Sequence, residues 1–189
     1  PGAHQRVRSV SPEHDSVVVE ADGGSRGNPG PAGYGAVVWD AARATVLAER
    51  REHLGVVTNN VAEYRGLIAG LEAARELGAS RVSVRMDSKL VVEQMSGRWK
   101  VKHASMIPLR ARAAAIADTF DDVQYAWIPR AENSHADRLA NQAMDGDDAM
   151  LTGAADVASM PSPVSERPAW QSVSGAATRT ILVRHGQTA

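Results

Sequence analysis

Apolar positions along the chain change period several times, and each change marks an element. Val17, Val18, Val19 and Ala21, with Glu20 and Asp22, form a β-branched run that predicts a short strand. It is apolar enough to be buried on both faces and it ends on a carboxylate. The stretch Gly23-Gly24-Ser25-Arg26-Gly27-Asn28-Pro29-Gly30 holds too much glycine for helix or strand and predicts a turn that a ligand can approach closely. Residues 33–39 and 45–53 are two more β-rich runs, joined by a short polar connection at Asp40. With the first run they predict an antiparallel meander.

The period then becomes helical. Thr58-Asn59-Asn60-Val61-Ala62-Glu63-Tyr64 opens a helix in which Asn60 can cap and Glu63 follows at capping-box spacing. Tyr64, Leu67, Ile68 and Leu71 form its apolar stripe. Gly66 and Gly70 each weaken it by about 1 kcal/mol relative to Ala, and their spacing lets the backbone lie close against a sheet. Leu77-Gly78 is a stop. Residues 81–87 alternate with Val82, Val84 and Met86 inward and Asp87 at the end, and Ser88 then caps a short helix through Met95. Residues 97–103 are irregular, 106–119 are an Ala-rich helix with Pro108 near its start, and 122–128 are a last strand closed by Pro129. From residue 133 a final helix sets Ala136, Leu139, Ala140, Ala143 and Met144 on one face and fades near Gly146.

The order β-β-β-α-β-α-α-β-α predicts an α/β domain over residues 16–146. Its sheet is five-stranded and mixed, three antiparallel strands followed by parallel ones, with helices on both faces. Residues 1–15 read as a disordered extension, and 147–177, rich in Ala, Ser, Pro and Asp, as a linker.

Composition narrows the chemistry. The 189 residues suffice for one good core plus tails. With no cysteine, disulfides, zinc–thiolate sites and thiol nucleophiles are excluded, and a reducing, cytoplasmic setting fits. No apolar run approaches the roughly 20 residues of a membrane span. The expectation is a cytoplasmic monomer with no membrane segment and no obligate protein partner. A formal charge of -1 means that any nucleic-acid binding is local. Of the basic residues only Lys89, Lys100 and Lys102 are lysines, and two of these follow Trp99.

Four carboxylates lie at edges of regular structure: Asp22 and Asp87 at strand ends, Glu63 and Asp137 in helix first turns. Taken singly each has an ordinary structural reading, as a turn residue or a partner of the helix dipole. Parallel strands ending in Asp22 and Asp87 converge where ligands of such sheets bind. Four like charges there would raise one another's pKa unless cations neutralise them, and an all-oxygen donor set selects Mg²⁺ or Mn²⁺. Two such ions about 3.5 to 4 Å apart are suited to in-line displacement at a phosphodiester.

Asp22-Gly23-Gly24-Ser25 with Gly27-Asn28-Pro29-Gly30, Gly33-Tyr34-Gly35, Thr58-Asn59-Asn60 with Glu63, Met86-Asp87-Ser88, and Ala136-Asp137 with Leu139-Ala140 together resemble ribonuclease HI over residues 16–146. The resemblance implies a ribonuclease H-like fold and an endonuclease that hydrolyses the RNA strand of RNA/DNA hybrids, leaving 5′-phosphate and 3′-hydroxyl ends. By it Asp22, Glu63, Asp87 and Asp137 are the catalytic, metal-binding acids of a site holding two Mg²⁺, with Mn²⁺ able to substitute. Glu63 and the backbone at Gly23, Gly24 and Ser25 would read the 2′-hydroxyl. Asn28, Asn59 and Asn60 match minor-groove positions, though Asn59 could equally be a turn residue.

Several departures accompany the match. Where many members carry a long basic protrusion, this chain has only residues 97–103, in which Trp99, Lys100 and Lys102 either grip the DNA strand or cover the core edge. Thr58 matches the DNA-strand phosphate pocket, but a frequent basic position is Val56, and His103 replaces a frequent Asn. The loop before the last acid lacks the family's mobile His. His135 is expected to point elsewhere, leaving Arg130 as the candidate to meet the scissile phosphate. Glu20 shares strand parity with Asp22 and is expected to pair with an arginine. The closing residues 178–189, with Arg184-His185-Gly186, resemble the first strand of a histidine phosphatase cut short, inactive as such. A hybrid-binding module without chemistry, or a phosphatase role in a longer parent protein, are the competing functions.

Overall fold

The computed structural model describes residues 14–146. Residues 1–13 of the extension expected over 1–15, and the linker and phosphatase-like tail expected over 147–189, lie outside the described residues. Asp15 is tied to the domain. The Asp15 carbonyl accepts from the Ser80 and Arg81 N–H groups at 2.9 Å each, and its carboxylate pairs with Arg81.

The elements are β1 (Ser16–Ser25), β2 (Gly30–Asp40), β3 (Val46–Val57), α1 (Asn59–Glu76), β4 (Arg81–Met86), α2 (Lys89–Met95), α3 (Ile107–Ala117), β5 (Asp122–Trp127), a 3₁₀ turn (Arg130–Glu132) and α4 (Ser134–Asp145). The sheet runs β3-β2-β1-β4-β5. β1 and β3 pair antiparallel with β2, while β4 is parallel to both β1 and β5. This is the five-stranded mixed sheet the pattern predicted, with β1 at its centre.

β1 is buried on both faces because a helix packs on each. On one face Tyr64, Leu67 and Leu71 of α1 meet Val17, Val19, Ala21, Val82, Val84 and Met86. Burial of each Val, Leu or Met side chain among them contributes about 1.5 to 3 kcal/mol. Tyr64 is wholly enclosed, and its hydroxyl donates to Gln94 Oε1 at 2.7 Å. α4 lies on the other face through Ala136, Leu139, Ala140 and Ala143. The two helix glycines act as their spacing implies. A Cβ on Gly66 would stand 2.9 Å from the Asp22 carbonyl oxygen, and one on Gly70 would stand 2.5 Å from Val19 Cγ1.

Two local expectations need correction. β1 does not end at Asp22 but runs on to Ser25, with Gly23 opposite Tyr34 and Gly24 opposite Gly33. Strand pairing overrides weak glycine propensity here. The N-cap of α1 is Thr58, not Asn60, and it makes no side-chain cap bond. The orphan Asn59 N–H is satisfied from afar, by Asn28 Oδ1 at 3.2 Å. Gly78 and Gly146, both at positive φ, follow the last residues of α1 and α4 as stop signals should.

Candidate active site

Four segments bring the acids to one rim of the sheet. Asp22 lies in β1 and Asp87 directly follows β4, which is parallel to β1, so the two carboxylates point beyond the same edge. Glu63 arrives because α1 presses its first turn onto Gly23, where a Cβ would lie 2.2 Å from Ala62 C and Glu63 N. Asp137 arrives in the same way. A Cβ on Gly35, the β2 partner of Asp22, would stand 2.3 Å from the Ala136 carbonyl oxygen. Close approach through glycine thus places two helix-borne acids beside two strand-borne ones.

Their electrostatics follow from that crowding. Burial, then the charges of Asp87 and Asp137, push the Asp22 carboxyl up to about 7, against the opposing pull of Arg130 and the Gly23 N–H. Glu63, 6% exposed, is raised well above the ordinary carboxylate range by burial and then by Asp22 and Asp87. The Gly23 N–H and the Asn59 side chain act the other way on Glu63, the latter across a long 3.4 Å contact. Asp137 also has partners of its own. One oxygen pairs with Arg130, and the other accepts from Asn141 Nδ2 at 3.1 Å.

The donor set fits a hard divalent cation in chemistry. It is all carboxylate oxygen, and Glu63 Oε2 is enclosed without a hydrogen-bond partner. Yet among the described residues no three His, Cys, Asp or Glu side chains are gathered tightly enough to form a ready-made metal site.

The other expected site residues fall into three groups. Gly23, Gly24 and Ser25 line the rim as strand, and Ser25 Oγ is enclosed without a partner. Asn28, Thr58 and Asn60 do converge, with His103, Ser105 and Met106, on a pocket of about 180 Å³. The Asn28 oxygen accepts from α1 at the Asn59 N–H, and Asn59 turns its amide toward Glu63 across 3.4 Å. Trp99, Lys100 and Lys102 share a wider cavity of about 510 Å³ with Leu90, Gln94 and Met106. Trp99 is 48% exposed, so it does not simply seal the core edge. Val56, 69% exposed, offers no charge there.

Arg130 is in the site but paired, bonded to Asp137 and close enough to feel Asp22 and Asp87. His135 points away, to Glu49, as expected. Glu20, 1% exposed, is ion-paired with Arg43 and near Arg85 at 3.8 Å, and Trp39 Nε1 donates to it at 2.9 Å. Both arginines are thus the partners the sequence left unnamed.

Sequence reasoning missed Asn133. Its side chain is wholly buried, and Nδ2 donates to Asp87 Oδ1 at 2.7 Å and to the Ala21 carbonyl at 2.9 Å. The only signal was a cap-type residue four positions before Asp137, which reads as helix capping alone.

A family model described as "Reverse transcriptase-like" matches residues 20–143. "Bifunctional protein Rv2228c" of Mycobacterium tuberculosis is 59% identical over 177 residues, covering 91% of this chain and 48% of that protein. The chain therefore spans about half the length of the relative. The solved N-terminal RNase H domain of Rv2228c from Mycobacterium tuberculosis, fused to maltose-binding protein, is 66% identical over 69% of this chain and 94% of that one, with a TM-score of 0.69. LC11-RNase H1, solved in complex with an RNA/DNA hybrid, is 40% identical over 69% of this chain and 98% of that one, with a TM-score of 0.66.

Proposed function

The chain belongs to the ribonuclease H family, and from that premise we propose that it is an endonuclease hydrolysing the RNA strand of RNA/DNA hybrids to 5′-phosphate and 3′-hydroxyl ends. One observation carries the reading. Carboxylates from β1, α1 and the end of β4 face one another at a single rim, with Asp137 and the Arg130 cation beside them. The hybrid bound to LC11-RNase H1 supports the substrate class.

In this reading Asp22, Glu63, Asp87 and Asp137 are the catalytic acids and hold two Mg²⁺, for which Mn²⁺ can substitute. Bound there, such ions supply an activated water and neutralise charge at the phosphodiester. The protein's own groups do the rest. Glu63 accepts from the 2′-hydroxyl, while the Gly23–Ser25 backbone lets the RNA strand approach without side-chain obstruction. Arg130 exchanges Asp137 for the scissile phosphate, a planar cation meeting a phosphate oxygen. Trp99 stacks on, and Lys100 and Lys102 neutralise, the DNA strand, whose phosphate meets Thr58, while the amides of Asn28, Asn59 and Asn60 address the minor groove.

One assay tests it, using labelled RNA/DNA hybrid, duplex RNA and p-nitrophenyl phosphate, each with Mg²⁺ or EDTA. Cleavage of the hybrid alone, lost in EDTA, is expected. Binding without cutting, or phosphate release, would replace this reading. In an Arg130→Ala arm, cleavage should slow by about tenfold or more. An unchanged rate would remove Arg130 from the mechanism.

A further inference from the structure

Asn133 joins three of the segments that carry the acids. Its side chain reaches β1 at the Ala21 carbonyl, one residue before Asp22, and reaches the Asp87 carboxylate after β4. Its own carbonyl accepts the Asp137 N–H at 3.0 Å, and its N–H donates to the Arg130 carbonyl at 3.0 Å. We propose that Asn133 is a positioning residue for the hybrid cleavage described above, its amide fixing the direction of the Asp87 carboxylate relative to Asp22 and Asp137. This inference rests on the nuclease reading.

Its amide can face only one way. Both contacts are acceptors, a carboxylate oxygen and a carbonyl, so only the NH₂ end can face them. The opposite rotamer would set Oδ1 against two oxygens. In the orientation present, Oδ1 is enclosed with no hydrogen-bond partner. An unmade buried hydrogen bond is destabilising, and an apolar side chain of similar volume would avoid it. Asn133 is therefore favoured for the two protons it donates. Helix capping does not explain it either. Asn133 occupies the N-cap position of α4, yet its side chain makes no cap bond.

Neighbouring contacts hold the arrangement from outside. Trp127 Nε1 donates to the Asp87 carbonyl at 3.0 Å, so Asp87 is fastened at its backbone and at its carboxylate. The turn leading into Asn133 is tied down by Arg85, which donates to Glu132 at 2.9 Å. With Oδ1 of Asp87 engaged, its second oxygen is left for the rim.

Asn133→Leu tests positioning without disturbing a cap, because leucine matches Asn in shape, the Asn133 side chain makes no cap bond, and leucine has no side-chain N–H to give Asp87. The expected result is a kcat lower by about 10- to 100-fold, the usual cost of losing a group that orients a metal-ligating side chain. KM, and hybrid affinity measured in EDTA, should stay within about twofold, since neither depends on the direction of Asp87. A kcat within about twofold of wild type would overturn the proposal.

A second measurement needs neither activity nor a folded Asn133 variant. In the unsubstituted protein the two Asn133 amide side-chain protons should exchange with solvent at least about tenfold more slowly than those of Asn28, and Asp87→Ala should speed exchange of the proton that faces Asp87 more than that of the one bonded to the Ala21 carbonyl. Equal exchange in the unsubstituted protein would also overturn it. If the unsubstituted protein cleaves no hybrid, the nuclease reading fails, and exchange alone decides whether Asn133 holds Asp87.

Discussion

Asp22 shows at the scale of one residue how the fold works against its own stability to build a site. Its carboxyl rises from an ordinary 3.8 to about 7 because it is buried and has Asp87 and Asp137 as neighbours. In the native state it therefore holds its proton at pH values where the unfolded chain has released it. Its favourable contribution is complete below about pH 4 and is lost as the pH rises through about 7, a swing of up to about 4 kcal/mol. In EDTA, thermal stability should fall between pH 5 and pH 8, and Asp22→Asn should flatten that slope and be the more stable protein at pH 8. An Asp22→Asn profile parallel to wild type would refute the burial argument. The sequence displayed Asp22 as a carboxylate at a strand end, but its shift depends on neighbours 65 and 115 residues away, which no local pattern records.

At the scale of elements, the helices are placed by absent side chains. α4 sits on Gly35 with no room for a Cβ, and α1 sits on Gly23 likewise. Gly35→Ala should push the first turn of α4 outward. The expected cost is about 1 to 3 kcal/mol in chemical denaturation, with a loss of cleavage in proportion to the displacement of Asp137. Retained stability and rate would mean that the placement of α4 does not depend on this contact. The periodicities of α1, β4 and α4 were legible, because an element that buries one face writes its period into the chain. The continuation of β1 through Gly23 and Gly24 was not, since glycine loses its turn preference once pairing with β2 and close helix packing supply what local propensity lacks. The capping of α1 by Asn28 was hidden for a similar reason, the donor and acceptor lying 31 residues apart.

For the whole molecule, charge sets how the hybrid is held. Net charge is -1, Arg98 is paired with Glu93 and Arg130 with Asp137, while Lys100 and Lys102 lie exposed at the cavity beside Trp99. Two or three phosphate contacts imply a slope of about -2 to -3 for the logarithm of hybrid affinity against the logarithm of salt concentration, measured in EDTA. A slope steeper than about -5 would require a basic surface elsewhere. The chain by itself determined the order of elements and the mixed sheet, because these are written in spacing and residue type, while its four acids were singled out by the resemblance of the motifs around them to ribonuclease HI. Only the tertiary structure decided that Asp137 leans on Arg130, that Glu20 is matched by Arg43 and Arg85, and that Asn133 binds Ala21 and Asp87 across 112 and 46 residues. A pattern along a chain records each residue's neighbours in sequence, whereas burial, repulsion and hydrogen-bond partnership are set by neighbours in space.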